Sequence, residues 1–136
     1  MLIIVSLSFY YRSKVINHLK SIEDEIRRNI LGEVRFDQYS KAMYSTDASI
    51  YQIEPVGVVI PRSYDDVIRV VEVANRLSIP ILPRGGGTSL AGQTVNNAIV
   101  LDFTKFMNNV LDVNVKEQWA IVQPGITLDE LNRQVK

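Results

Sequence analysis

The amino-acid sequence predicts an α+β fold: a small, partly parallel sheet with a βαβ unit and helices packed mainly on one face. Three observations predict it. Two short apolar runs, "PVGVVIP" (55–61) and "IPIL" (79–82), flank a stretch with helical periodicity. Strand, helix, strand in about 30 residues is the size of a βαβ unit, whose two strands run parallel. Further along, apolar residues alternate at every second position, the mark of half-buried antiparallel strands.

The elements follow in order. The opening "MLIIVSLSFYY" is apolar for about ten residues, well short of the ~20 that span a bilayer, and lacks the charged start and cleavage site of a signal peptide. It is expected to be an edge strand, a buried N-terminal segment, or the product of an over-extended reading frame. A peripheral membrane contact stays open. From Arg12 to Leu31, Val15, Ile16, Leu19, Ile22, Ile26 and Ile30 recur at three- and four-residue spacing, predicting a helix capped by Ser13 and ended by Gly32. Residues 1–32 are set apart as an N-terminal segment and 33–136 as the main domain. Between Glu33 and Glu54 the pattern is mixed and loop-rich, with Tyr44, Tyr51 and several hydroxyls.

The first apolar run predicts a buried strand. In the helix after it, Ser63 with Asp66 resembles a capping box, and Val67, Val70, Val71, Ala74 and Leu77 form the apolar stripe. A third strand is expected over Ala98–Asp102. Leu111, Val113 and Val115, then Trp119, Ile121 and Gln123, predict a hairpin turning near Asn114 to Glu117, with Trp119 as a packing residue. Thr127 and Glu130 repeat the capping pattern before a short helix with an apolar stripe of Leu128, Leu131 and Val135. That helix is short and uncapped at its end, so the chain is expected to be a piece of a longer protein whose exposed apolar surface promotes self-association or a poorly ordered C-terminus.

Composition narrows the function. Fifteen basic residues balance fifteen acidic ones, against a general nucleic-acid surface. There is no cysteine and one histidine, His18, which is expected on a helix surface; no metal site is expected.

The functional signal lies in "PRGGGTSLAGQTV" (Pro83–Val95), which holds four of the seven glycines and follows the second βαβ strand. Ligand loops of α/β layers sit at that place. Gly85 and Gly87 match two of the three dinucleotide-fold glycines, but Leu90 stands at the third. The spacing Gly87 to Thr94 fits a P-loop, except that Gln93 replaces its lysine, which disfavours nucleotide hydrolysis. A looser nest remains: glycine N–H groups, the hydroxyls of Thr88 and Ser89, and Arg84 facing an anion. This points to a phosphate-bearing cofactor that is bound and not consumed. A flexible glycine turn, or close packing of two backbones, would explain the same residues.

"GVVIPRSYDDVIRVVEVANRLSIPILPRGGGTSLAGQ" followed by "IVLDFTKFMNNVLDVNVKEQWAIVQPGITLDEL" resembles the N-terminal part of the FAD-binding domain of FAD-linked oxidases, the vanillyl-alcohol oxidase/p-cresol methylhydroxylase superfamily. The branch it looks most similar to is the D-lactate/glycolate-type 2-hydroxyacid dehydrogenases, and "YSTDASIYQIEPVGVVIPRS" is similar to large members with a further iron–sulfur domain. The resemblance runs from Phe36 to Lys136. It implies that Pro83, Arg84, Gly85, Gly86, Gly87, Thr88, Ser89, Leu90, Gly92 and Gln93 cradle the FAD pyrophosphate, with Pro124 and Gly125 near the flavin end. Covalently flavinylated members place a histidine where Thr88 stands, so the resemblance implies non-covalent FAD. It implies hydride transfer from a small 2-hydroxy acid to the flavin in the intact protein, an electron acceptor, and a cytoplasmic location, with a contact at the membrane left open. The second half of the family's FAD domain and its substrate domain are not in this sequence, so no catalytic residue is assigned and the chain alone is expected to be inactive. The competing expectation is a non-catalytic α+β module that binds an anion or a partner.

Overall fold

The computed structural model describes the backbone of residues 2–135 and the side chains of residues 14 and 16–135. In chain order the elements are α1 (Leu2–Asn29), β1 (Glu33–Arg35), α2 (Gln38–Met43), β2 (Gly57–Ile60), α3 (Tyr64–Arg76), β3 (Ile81–Arg84), β4 (Ile99–Asp102), β5 (Val110–Asn114), β6 (Trp119–Val122) and α4 (Leu128–Gln134). The expected α+β fold with a partly parallel sheet is the observed one.

β1 to β4 form one sheet in the order β1-β2-β4-β3. β1 pairs antiparallel with β2, while β4 pairs parallel with both β2 and β3. The βαβ strands β2 and β3 thus run parallel as expected, but are not neighbours: β4 lies between them. The ladder follows the apolar pattern. "GVVI" and "IVLD" are continuous runs and take the two central positions, buried at every residue. "ILPR" contains a proline and takes the edge. Ile99 donates its N–H to the Pro80 carbonyl and Phe103 to the Arg84 carbonyl, so even-numbered β3 residues face β4 and Pro83 faces outward. The missing proline N–H therefore costs no ladder bond.

One face of the sheet carries the main core. Val59, Ile99 and Leu101 pack with Ile22 and Ile26 of α1, Val70, Val73 and Ala74 of α3, and Phe103 and Met107. Burying each such aliphatic side chain stabilises the fold by about 1.5–3 kcal/mol. The other face, Val58, Ile60 and Val100 with their neighbour Leu82, packs against Tyr44 and Phe106. The division at residue 32 marks a change in sequence character, since α1 shares the core of the main domain.

α1 begins at Leu2 and runs through Ser13, so the apolar opening is helical rather than an edge strand, and Ser13 is not a cap. No glycine or proline occurs before Gly32 to interrupt the first helix. Met1 and the side chains of residues 2–13 lie outside the described residues. Of the stripe expected on this helix, Ile22 and Ile26 are buried, Leu19 and Ile30 are half-buried and Ile16 is exposed, as is His18, while the side chain of Val15 lies outside the described residues. Among the described residues no helix is long and apolar enough to cross a membrane. The region expected to be loop-rich contains β1 and the short α2, started by the Asp37 side chain accepting from the Ser40 N–H at 2.9 Å.

The cap of α3 forms as expected, with Ser63 Oγ accepting from the Asp66 N–H at 3.2 Å. Asp66 does not complete a reciprocal box. Its buried carboxylate accepts from the Arg62 N–H at 2.8 Å and from the Leu31 N–H at 3.0 Å, tying the end of α1 to the start of α3.

β5 and β6 make a separate two-stranded sheet. Its register opposes Val113 to Ala120 and Asn114 to Trp119, with an irregularity between Val110 and Asp112. Trp119 and Val113 therefore lie on opposite faces of the hairpin. Trp119 is 44% exposed, contrary to the expected packing role. α4 is capped by Thr127 as expected, and none of its residues is buried.

Candidate functional site

The carboxyl ends of β2, β3 and β4 lie at one end of the sheet, because these strands are mutually parallel and in register. Two segments leave from there. The glycine loop starts after β3 at Gly85, and a turn after β4 runs from Phe103 to Met107, closed by the Met107 N–H on the Phe103 carbonyl at 3.1 Å.

Pro124 and Gly125 dock onto that turn. The Gly125 N–H donates to the Met107 carbonyl at 2.9 Å. A Cβ on Gly125 would strike the Phe103 carbonyl and stand 2.8 Å from the Met107 oxygen, both backbone atoms that cannot turn aside. The same docking brings the Pro124 carbonyl within 3.9 Å of the position a Gly85 Cβ would take. The two segments expected to hold one ligand, residues 83–93 and 124–125, are thus neighbours.

The glycines of the loop divide by cause. Gly87 and Gly92 are required by the chain itself. Their φ values are +67° and +77°, which L side chains rarely adopt, and a Cβ would stand 2.6 Å from the Arg84 guanidinium and from the Tyr51 ring, respectively. Gly85 and Gly86 are not so required. Neither has a positive φ, and a Cβ would meet nothing closer than 3.6 Å. Nothing in the chain asks for glycine at these two positions, yet the backbone there is bare. Among the described residues the N–H groups of Gly85 through Leu90 find no protein acceptor. A run of amides without protein acceptors, beside positions kept clear of side chains, leaves several donors free for an anion. A pyrophosphate, with several acceptor oxygens and no need of a bulky pocket, fits this arrangement.

The polar side chains are arranged differently from the expectation. Arg84 was expected to face the anion. Its guanidinium donates instead to the carbonyls of Thr94 and Thr46, each at 2.9 Å, and of Tyr44 at 3.3 Å, and lies over the Tyr44 ring. Ser89 is also turned into the loop: its Oγ accepts from Ala91 and Gln93 N–H groups at 3.3 and 3.2 Å and donates to the Gln93 side chain. Thr88, Leu90 and Gln93 are exposed, Leu90 at 82%. Pro83 is an edge-strand residue on the outer side of β3.

Residues given no role by sequence reasoning frame the loop. Tyr44 donates its hydroxyl to the buried Asp102 carboxylate at 2.5 Å, and Asp102 also accepts from the Thr104 N–H and hydroxyl at 2.8 and 2.7 Å. Burial, reinforced by that carboxylate, holds the Tyr44 phenol well above its ordinary pKa, so it stays a hydrogen-bond donor. Asp47 accepts from the Ser49 N–H at 2.9 Å and the Thr94 hydroxyl at 2.9 Å. These bonds, Ser49 foremost, lower its pKa to about 2. The only sequence signal for this frame was the density of hydroxyls in "YSTDASIY", which has no fixed spacing to read.

The FAD binding domain family matches residues 55–136. The chain is 35% identical over 121 residues to a D-2-hydroxyglutarate dehydrogenase of Haemophilus influenzae, covering 87% of this chain and 12% of that protein. It is 36% identical over 116 residues to the glycolate oxidase subunit GlcD of Bacillus subtilis, covering 81% of this chain and 24% of the relative. Among solved structures, an alkyldihydroxyacetonephosphate synthase superposes with a TM-score of 0.74 at 24% identity, over 85% of this chain and 24% of that one, a likeness of fold. The chain thus spans about an eighth of the D-2-hydroxyglutarate dehydrogenase and about a quarter of the other two. By its family match over residues 55–136 and its identity to these relatives, the chain belongs to the FAD binding domain family of FAD-linked oxidoreductases.

Proposed function

We propose that this chain supplies the pyrophosphate cradle for non-covalently held FAD in an enzyme that oxidises a small 2-hydroxy acid. The observation that carries the cradle is the pair Gly85 and Gly86, left open by the chain and followed by unpaired amides. In this reading the N–H groups of Gly85 to Ser89 bind the phosphate oxygens. Thr88, exposed and carrying a hydroxyl, offers one further donor and no imidazole for a covalent link. Arg84 shapes the loop rather than contacting the anion. Pro124 and Gly125 wall the side nearest Gly85. Bound FAD would supply the hydride acceptor. The chain's own residues bind and orient it.

The substrate class rests on the relatives, whose names point to D-2-hydroxyglutarate and glycolate oxidation. D-Lactate belongs to the same chemical class. We also propose that the exposed apolar residues Leu111, Val113, Ile121 and Leu128 drive self-association of the isolated chain, which a concentration-dependent sedimentation coefficient would reveal.

Calorimetric titration with FAD tests the cradle. The wild-type chain is expected to bind, and Gly86→Val to lose binding while keeping the melting temperature, because its side chain enters space that only a ligand fills. Undiminished binding by Gly86→Val would sink the cradle. For the substrate, the full-length protein is mixed anaerobically with D-2-hydroxyglutarate, D-lactate or glycolate. Bleaching of the flavin by at least one is expected, and bleaching by none would reject the 2-hydroxy-acid class.

A further inference from the structure

We propose that residues 44–51 form a strap that sets the shape of the cofactor loop, and that Asp47 is its positioning residue. The segment precedes the family match, which begins at residue 55. It nevertheless holds the glycine loop at several points. The Ala48 N–H donates to the Gly87 carbonyl at 3.1 Å. Asp47 Oδ2 accepts from the Thr94 hydroxyl at 2.9 Å and the Thr94 N–H at 3.4 Å. The Tyr51 ring lies where a Gly92 Cβ would be. Arg84 closes the frame by bridging carbonyls of Tyr44 and Thr46 on the strap to that of Thr94 on the loop.

The Ala48 contact has a directional consequence. In a planar trans peptide the C=O and the next N–H point opposite ways. With the Gly87 carbonyl drawn toward the strap, the Thr88 N–H is turned away from it, toward the open side. Asp47, one residue earlier and joined to Ser49 and Thr94, fixes the strap so that Ala48 can do this.

The inference rests on the FAD reading, and the sign of one effect separates positioning from charge. Asp47 carries a negative charge beside a site proposed for a dianion. If charge alone mattered, neutralising it would tighten binding. If Asp47 positions the loop, neutralising it weakens binding. The test is FAD titration of the wild-type chain, Asp47→Asn, Thr94→Val and the double variant, with hydrogen exchange of the Ala48 amide, which is bonded to the Gly87 carbonyl, followed in each. Asp47→Asn is expected to weaken FAD binding about tenfold, and Thr94→Val severalfold, from the loss of a charge-assisted hydrogen bond. The double variant should be no weaker than Asp47→Asn, because both remove one linkage. Exchange of the Ala48 amide should accelerate in all three while the amides of β4 stay protected. Thr94→Val keeps the charge and so stands if Asp47→Asn misfolds. Equal or tighter FAD binding by Asp47→Asn, or full additivity, would overturn the proposal. If the wild-type chain binds no FAD, this chain is rejected as a self-sufficient cradle. The strap is then judged by exchange alone, and unchanged exchange in Asp47→Asn overturns it.

Discussion

The four-stranded sheet and the β5–β6 hairpin contain similar side chains and meet different fates. Valines, isoleucines and leucines of β2 and β4 are buried almost completely. Leu111, Val113, Trp119 and Ile121 of the hairpin are each more than 40% exposed, and the buried hydrophobic residues end at Met107. A strand's apolar content is a statement of what it can bury; a covering layer decides whether it does. The sheet has α1 and α3 on one face and Tyr44 and Phe106 on the other. The hairpin has α4 beside it, joined by the Val110 N–H to the Gln134 side chain at 3.3 Å. Two-stranded units without a packed face are marginal in water. The hairpin is held in place at its base, where Gln123 exchanges hydrogen bonds with Asn109 and Gly125 docks beneath Phe103.

The largest effect should come from the sheet. Ile99→Ala removes a fully buried side chain between β2 and β3 and is expected to cost about 2–5 kcal/mol. Ile121→Ala, on the hairpin, should cost under about 0.5 kcal/mol. Denaturant melts of both variants check the contrast, and equal losses would break it. Gly125→Ala comes next. Its Cβ collides with backbone carbonyls, so about 1–3 kcal/mol of strain is expected. The hairpin should give way before the sheet: in hydrogen exchange, β5 and β6 amides lose protection while those of β4 keep theirs.

The smallest effect concerns acid. Asp47 has its folded pKa lowered to about 2, against about 3.9 for an unfolded aspartate. A lowered carboxyl pKa contributes stability that is present above the unfolded value and is lost as pH falls through the folded one. The Asp47–Thr94 linkage should therefore persist at pH 5 and above and weaken between about pH 4 and pH 2. The Thr94 amide resonance should shift over that range in the wild-type chain and remain flat in Asp47→Ala.

Much of this architecture could be read before any coordinates. Proline-bounded apolar runs, the Ser63 and Thr127 caps and the glycine cluster after a strand are local features with local causes. The insertion of β4 between β2 and β3 was not legible, because it depends on where the chain returns after residues 85–98. Nor was the engagement of Arg84. An arginine beside three glycines reads as an anion ligand until the carbonyls of Tyr44 and Thr46, about forty residues earlier, are seen around it. The same holds for Asp47. Its bond to Thr94 spans 47 residues, and a lone aspartate in a hydroxyl-rich loop carries no mark of a distant partner. Trp119 failed in the opposite direction: alternation placed it in a strand correctly but could not supply a surface to cover it.

The orientation of Pro83 bears on how the molecule keeps company. A free sheet edge is an invitation to any extended peptide, since its outward N–H and C=O groups are already spaced for pairing. On β3 the outward residues are Ile81 and Pro83, and the second has no hydrogen to offer. A foreign strand laid along this edge would find a break where its second bond should form. The same proline that introduces the glycine loop thus removes one of the donors that an added strand would need along this flank.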